Sequence, residues 1–188
     1  MYNFKIESSG IISKEFLELN ILDLNSACRF VAELPYKRNS DKNNLKCIFE
    51  DFGGTCSTKH ATLRKLALEN NSEKIKLMLG IFKMDSNYAP KIKSTLYKHN
   101  LRYIPEAHNY LKIGNEYFDF TQPNAKYSDF KSKIIVETEI EFDEIASKKV
   151  EIHRNFLQEW IKENNGYSLE EIWEIREKCI QDLQKNDD

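Results

Sequence analysis

Phe52-Gly53-Gly54-Thr55-Cys56-Ser57-Thr58-Lys59-His60-Ala61-Thr62-Leu63-Arg64-Lys65-Leu66-Ala67-Leu68 is the stretch around which the chain is organised. A glycine pair, able to take backbone angles closed to other residues and to allow close approach, delivers a cysteine to a helix start. Thr55 is the expected N-cap, its hydroxyl accepting from a first-turn N–H. Cys56 then sits in the first turn, where the helix dipole is positive and favours the thiolate, the nucleophilic form. Ala61, Leu63, Leu66, Ala67 and Leu68 supply apolar surface to bury the helix. The stretch reads as a reactive sulfur on the end of a buried, rigid element. The plain alternative is one more buried cysteine after an ordinary loop.

A nucleophilic cysteine needs a base, and the base needs an orienting group. Residues 107–121 form the clearest hairpin: two runs rich in Tyr, Phe, Leu and Ile flank Gly114-Asn115, a sound two-residue turn. With those two residues as the loop, Ile113 pairs with Glu116, Tyr110 faces Asp119, and His108 faces Thr121. His108 and Asp119 then share a face as diagonal neighbours, about 7–8 Å apart at the backbone and within reach of a side-chain hydrogen bond. A three-residue loop would put them on opposite faces. Asp119, between Phe118 and Phe120, stands against strand propensity, which favours a role for it. It would fix the tautomer of His108 while His108 takes the proton of Cys56.

Outward from these pieces, residues 2–7 alternate weakly and read as an edge strand. Residues 13–34 read as two helices, the second capped by Asp23 and ended by Pro35. Residues 36–44 form a polar loop. Residues 75–84 read as a strand, and Pro90 opens a short helix that ends near Asn100. A second strand region starts at Leu101 and is interrupted by Pro105. Residues 134–142 alternate, with Ile134, Val136, Thr138, Ile140 and Phe142 on one face and Glu137, Glu139 and Glu141 on the other. Two helices follow: Asn164-Asn165-Gly166 closes the first, and a Ser168/Glu171 capping box opens the second. Helices, then strands, then helices imply an α+β fold: a nucleophile helix packed on an antiparallel sheet, with additional C-terminal helices. A single domain over 1–188 is expected, with a core over about 23–142 and a helical extension over about 147–185.

The chain of 188 residues is 40% hydrophobic and 12% aromatic, so it is globular rather than disordered. Its net charge of −2 names no partner. Residues 57–105 carry ten Lys or Arg against three Asp or Glu, and residues 137–188 carry fifteen acids against seven bases. That asymmetry reads as two faces that attract each other or as a solvated acidic tail. No motif accompanies the basic stretch, so nucleic acid is not an expected partner. There is no leader and no apolar run near 18 residues, so neither secretion nor membrane spanning is expected, and a cytoplasmic location is. Cys28, Cys47, Cys56 and Cys179 are far apart with no CxxC pair, and read as free thiols.

Gly54-Thr55-Cys56 with Leu63 and Leu66 behind it, Ala107-His108-Asn109-Tyr110, and Tyr117-Phe118-Asp119-Phe120-Thr121 together resemble the transglutaminase-like superfamily, which shares a papain-like core. The resemblance covers about 51–121 and keeps the order Cys, His, Asp. Leu34-Pro35-Tyr36, Cys56-Ser57-Thr58-Lys59-His60 and Ile104-Pro105-Glu106-Ala107-His108 are similar to stretches of bacterial members of that superfamily. The two tryptophans, Trp160 and Trp173, lie outside these motifs in sequence. The resemblance implies catalytic Cys56, His108 and Asp119 and a thioester mechanism on a peptide, protein or small amide or acyl substrate, ending in transfer or hydrolysis. It implies no cofactor.

The backbone N–H of Cys56 would give one oxyanion donor. Asn39, Ser40 or Asn44 in the polar loop are candidates for a second, and Glu50, once ionised, is not. His60 shares a helix face with Cys56 and is a candidate for a base in place of His108, for substrate contact, for packing under the site, or for a hydrogen bond to the loop. Lys59 and Glu106 are candidates to contact substrate. A metal site would need three or four ligands near Cys56, and only His60 and Cys47 are close in sequence, so no metal is expected. The competing class is a catalytically silent module of the same fold that binds a peptide or protein partner. An acetyltransferase of the arylamine type would need a coenzyme A pocket, for which no phosphate-cradling motif is present.

Overall fold

The computed structural model describes residues 2–164 and 166–184. Strand β1 (Ile75–Asp85) and strand β2 (Tyr103–Ile113) pair antiparallel along their whole length, from Ile75 opposite Ile113 to Asp85 opposite Tyr103. Strand β3 (Glu116–Phe118) returns along β2, and β4 (Ile134–Ile140) pairs antiparallel with the other side of β1, giving the order β3-β2-β1-β4. Helices α1 (Ile11–Glu18), α2 (Leu24–Glu33), α3 (Cys47–Glu50) and α4 (Cys56–Glu69) precede the sheet. Helix α5 (Lys93–Lys98) sits between β1 and β2, and α6 (Ser147–Glu163) and α7 (Leu169–Leu183) follow the sheet. The chain is therefore α+β, as its element order implied.

The period of two in β1 sorts its side chains onto two cores. Ile75, Leu77, Leu79 and Ile81 join Phe16, Leu24, Val31, Leu63 and Leu66 on one face. Met78, Phe82 and Met84 join Ile104, Tyr110, Phe130, Leu157, Ile172 and Ile175 on the other. Both faces are covered, which is why β1 loses its polar alternation. At about 25 cal/mol per Å², each fully buried Leu or Ile is worth roughly 1.5–3 kcal/mol, and these two cores dominate the fold's stability.

Several sequence expectations need correction. Residues 2–7 form no strand; Lys5 makes only an isolated bridge to Asp23. Pro105 does not interrupt β2, because at that point only β1 pairs with it. In an antiparallel pair, a residue's N–H and C=O point the same way. The Pro105 carbonyl turns from β1 to His153 Nε2 at 2.9 Å, so the missing N–H falls on the unpaired side, where it removes no ladder bond. Neither Gly53 nor Gly54 has a positive φ; Phe52 carries it instead, at 50°. The glycines are needed for proximity: a Cβ on Gly54 would lie 2.7 Å from Thr58 Oγ1. Gly54 bridges Tyr36 in parallel, which draws the polar loop against the helix start.

The hairpin follows the expected register, with Ile113 opposite Glu116 and Gly114 at φ +61°. Asp23 caps α2 through Ser26 N–H at 3.0 Å, and Ser168 and Glu171 form their reciprocal box. Of the residues expected to close α6, Asn165 lies outside the described residues, as does position 185 at the end of the expected extension. Arg64–Glu141 and Lys76–Glu139 pair across the basic and acidic stretches, at 3.1 and 3.0 Å. No helix among the described residues is long and apolar enough to cross a membrane.

Candidate active site

Cys56 is the first residue of α4 and is 7% exposed. Thr55 is the N-cap, as expected, and forms a capping box with Thr58: Thr55 N–H donates to Thr58 Oγ1 at 3.0 Å, and the Thr58 hydroxyl donates to Asn39 Oδ1 at 2.7 Å. The helix start is thus pinned to the polar loop, with Cys56 directed into the interior.

Across from it, His108 Nε2 donates to Asp119 Oδ2 at 2.8 Å. The Asp119 Oδ1 accepts from the Thr121 N–H at 2.8 Å and from its hydroxyl at 2.5 Å. Three donors thus hold the carboxylate just beyond the end of β3, where strand propensity no longer counts against it. The second nitrogen of His108, Nδ1, is not used by Asp119, and His108 lines the same cavity as the Cys56 sulfur. Phe82 and Phe130 pack edge-on to the imidazole, their ring centroids 6.0 and 4.9 Å from it. These contacts fix the orientation of the ring.

The charges follow from the geometry. Burial alone would raise the Cys56 thiol, but the ammonium of Lys149 and the imidazole of His108 outweigh it and bring the thiol down to about 6. Burial opposes protonation of His108, yet Asp119 and the Cys56 thiolate raise it to about 10. Asp119 is held well below the usual carboxylate range against its own burial, chiefly by His108. The other cysteines show the contrast. Burial pushes Cys47 up to about 11 and Cys179 up to about 12, and Cys28 higher still. Cys56 is thus set apart as a thiolate at neutral pH.

Lys149, on the first turn of α6, is a member of the site that sequence reasoning missed. Its ammonium lies 2.7 Å from Ser57 Oγ, 2.9 Å from Asn109 Oδ1 and 3.8 Å from Cys56 Sγ. Nothing in the local pattern marks a lysine 93 residues from the nucleophile. The only available signal was its place among Ile145, Val150 and His153, a polar residue on a half-apolar helix.

Cys56 lies on the wall of two cavities. One, of about 860 Å³, is also lined by His108, Asp119, Phe82, Tyr88 and Gln122. The other, of about 120 Å³, is lined by Thr55, Ser57, Lys149, Trp173 and Arg176. Tyr36 and Glu106 reach both. Trp173, distant in sequence, is therefore near the sulfur in space.

The remaining sequence candidates divide. Asn39 is consumed by the loop: its amide donates to Gly53 O at 2.9 Å and to Asp51 Oδ2 at 3.0 Å, and it does not line either cavity. Ser40 is exposed and bonds Asp51. Asn44 bonds Glu50 at 2.7 Å. None of the three supplies an oxyanion donor. Lys59, on α4, is fully buried and donates to the carbonyls of Leu34 and Thr121, so it braces the segments after α2 and β3 rather than meeting substrate. Burial lowers its ammonium to about 8.

His60 is also fully buried. Its Nδ1 lies 2.7 Å from the Cys56 carbonyl, and its Nε2 accepts the Phe120 N–H at 2.8 Å. A carbonyl only accepts and an N–H only donates, so the ring is the neutral Nδ1–H tautomer. Burial lowers its pKa to about 4, and its 3.5 Å approach to Asp119 is therefore not an ion pair. His60 is no base in place of His108. Glu106 reaches both cavities, but its carboxylate is bound at 2.7 and 2.6 Å by the fork of Arg176. That pairing holds Glu106 at about 2 despite burial.

Among the described residues, no group of three or more His, Cys, Asp or Glu is arranged to hold a metal ion. Chemically, the arrangement offers a thiolate, an imidazolium positioned by a carboxylate, and a second cation 3.8 Å from the sulfur. No protein-family model matches the chain, and neither a curated protein nor a solved structure matches it.

Proposed function

We propose that this chain is a cysteine-dependent acyltransferase or amide hydrolase with a transglutaminase-like core. The observation that carries the reading is the 2.8 Å bond from His108 to Asp119 on the wall of the cavity that Cys56 also lines. The Cys56 thiolate attacks the carbonyl carbon of a peptide, protein or small amide. The C=O π pair moves to oxygen, and a tetrahedral intermediate forms. His108, as imidazolium, protonates the leaving amine, the C–N bond breaks, and a thioester remains on Cys56. His108, now neutral, takes a proton from water or an acceptor amine, which attacks the thioester and regenerates the thiolate. Asp119 keeps the imidazole in one orientation and stabilises its charged form throughout. The cavity of about 860 Å³ on the His108 side has room for the acyl donor and the incoming nucleophile.

The test is acylation. The chain is mixed with p-nitrophenyl acetate and with glutaminyl and other amide peptides, with and without hydroxylamine. The expected result is a burst of one equivalent of nitrophenol, acetyl mass on the Cys56 peptide, hydroxamate in the presence of hydroxylamine, and none of these in Cys56→Ala. Absence of acylation from every donor would overturn the enzyme reading in favour of a silent binding module.

A further inference from the structure

The relay leaves one chemical need unmet: a second donor, beside the Cys56 N–H, for the negative charge that appears on the carbonyl oxygen during attack. The polar-loop side chains do not supply it. Helix α6 brings the ammonium of Lys149 to 3.8 Å from the sulfur, and Lys149 is only 8% exposed. The ammonium has three donors, and three acceptors surround it: Ser57 Oγ, Asn109 Oδ1 and Cys56 Sγ. The first two are neutral. Burial lowers the Lys149 ammonium, and among the charged groups that act on it the Cys56 thiolate, which supports the charged form, comes first, ahead of Glu106, Arg176 and Lys42. Glu106 is already bound by the fork of Arg176. The thiolate is therefore the anion that Lys149 neutralises.

We propose that Lys149 is a second catalytic cation, acting as counter-ion to the Cys56 thiolate at rest and as donor to the oxyanion of the tetrahedral intermediate. The inference rests on the acyl-transfer reading above. When sulfur forms its bond to carbon, its negative charge passes to the carbonyl oxygen. A buried ammonium left without an anion at that moment would be strongly unfavourable, so the charge has to remain within its reach. The two cavities give the matching arrangement. The larger is lined by His108 and Asp119 and not by Lys149, while the smaller is lined by Thr55, Ser57 and Lys149 and not by His108. A leaving group facing the imidazolium thus puts the oxygen on the side of the helix-start N–H groups and the ammonium.

The test compares two reactions of Cys56 in the wild type, Lys149→Arg and Lys149→Met. Alkylation by iodoacetamide needs the thiolate but makes no oxyanion. Acylation by p-nitrophenyl acetate needs both. Their rate ratio at one pH cancels the thiolate fraction and reads the oxyanion role alone. In Lys149→Met the ratio should fall about 100-fold, and in Lys149→Arg by no more than about tenfold. The pH midpoint of alkylation should rise in Lys149→Met and stay low in Lys149→Arg. An unchanged ratio in the Met variant overturns the oxyanion role, and an unchanged midpoint overturns the counter-ion role. A wild-type chain that is alkylated but never acylated overturns the acyl-transfer reading, and the oxyanion role with it. The Arg variant keeps the charge and the test if the Met variant's thermal melt shows that it does not fold.

Discussion

His60 Nε2 accepts the backbone N–H of Phe120 at 2.8 Å, and this bond ties the nucleophile helix to the residue next to Asp119. The other ring nitrogen holds the Cys56 carbonyl. One neutral imidazole therefore sets the spacing between the two ends of the relay without taking part in it. His60→Ala would leave the Phe120 N–H without an acceptor, at a cost of about 1–3 kcal/mol, with a cavity added. Urea denaturation should show that loss, and alkylation of Cys56 at neutral pH should slow as Asp119 loses its support. His60 is neutral when folded and protonates more readily when unfolded. Its contribution is thus whole above about 6.5 and is lost as pH falls towards about 4. The variant should lack that part of the acid slope.

The rate of Cys56 alkylation should rise through pH of about 6 and then level off, well below the onset for Cys28, Cys47 and Cys179. In the plateau His108 is an imidazolium, and that state persists until pH approaches about 10. His108→Ala should move the midpoint upward while Lys149 keeps part of the depression. Each unit of upward movement beyond the assay pH costs about tenfold in thiolate. Peptide mapping after timed iodoacetamide quenches would show it. Four cysteines reacting alike would contradict the ion pair.

Asp119→Asn should bring His108 down from about 10 towards its ordinary range, because the carboxylate is the main group raising it. The His108 ring resonance, titrated by NMR, is the direct readout. The alkylation midpoint of Cys56 should rise in the same variant. Asp119 is itself depressed, so its stabilising contribution is present above the ordinary carboxylate value of about 3.9 and is lost as pH falls below it. His108 works in the other direction. Its contribution is complete below about 6.5 and is lost as pH rises to about 10.

Glu106 and Arg176 form a buried, two-point ion pair that fastens α7 to β2. Glu106→Gln or Arg176→Met alone should cost about 3–5 kcal/mol, since each strands a buried charge. Glu106→Leu together with Arg176→Met should cost much less than the two single changes combined. A double-mutant cycle in urea measures the difference. A cycle that sums without coupling would show that the pair holds nothing.

What was legible in the sequence is what local rules govern. Cys56 at a helix start follows from the run after the glycine pair, and the pairing of His108 with Asp119 follows from a two-residue turn at Gly114-Asn115 and the period of a strand. The α+β class follows from element order. The polar members of the site were not legible, because Lys149, Trp173 and Arg176 come from helices brought in by tertiary packing. Their local pattern is that of any amphipathic helix with a solvated face. Asn39, Ser40 and Lys59 were misplaced for the same reason: proximity in sequence says nothing about which neighbour takes up their hydrogen bonds. Pro105 misled because a proline breaks a ladder only where a ladder exists.

Lys149 enters the chain 93 residues after Cys56. During synthesis, the nucleophile leaves the ribosome well before its ammonium partner and before the helix that Arg176 anchors. Until α6 docks, Cys56 lacks one of its two cations. The pair of cations around the sulfur is thus completed only by the last helices of the chain.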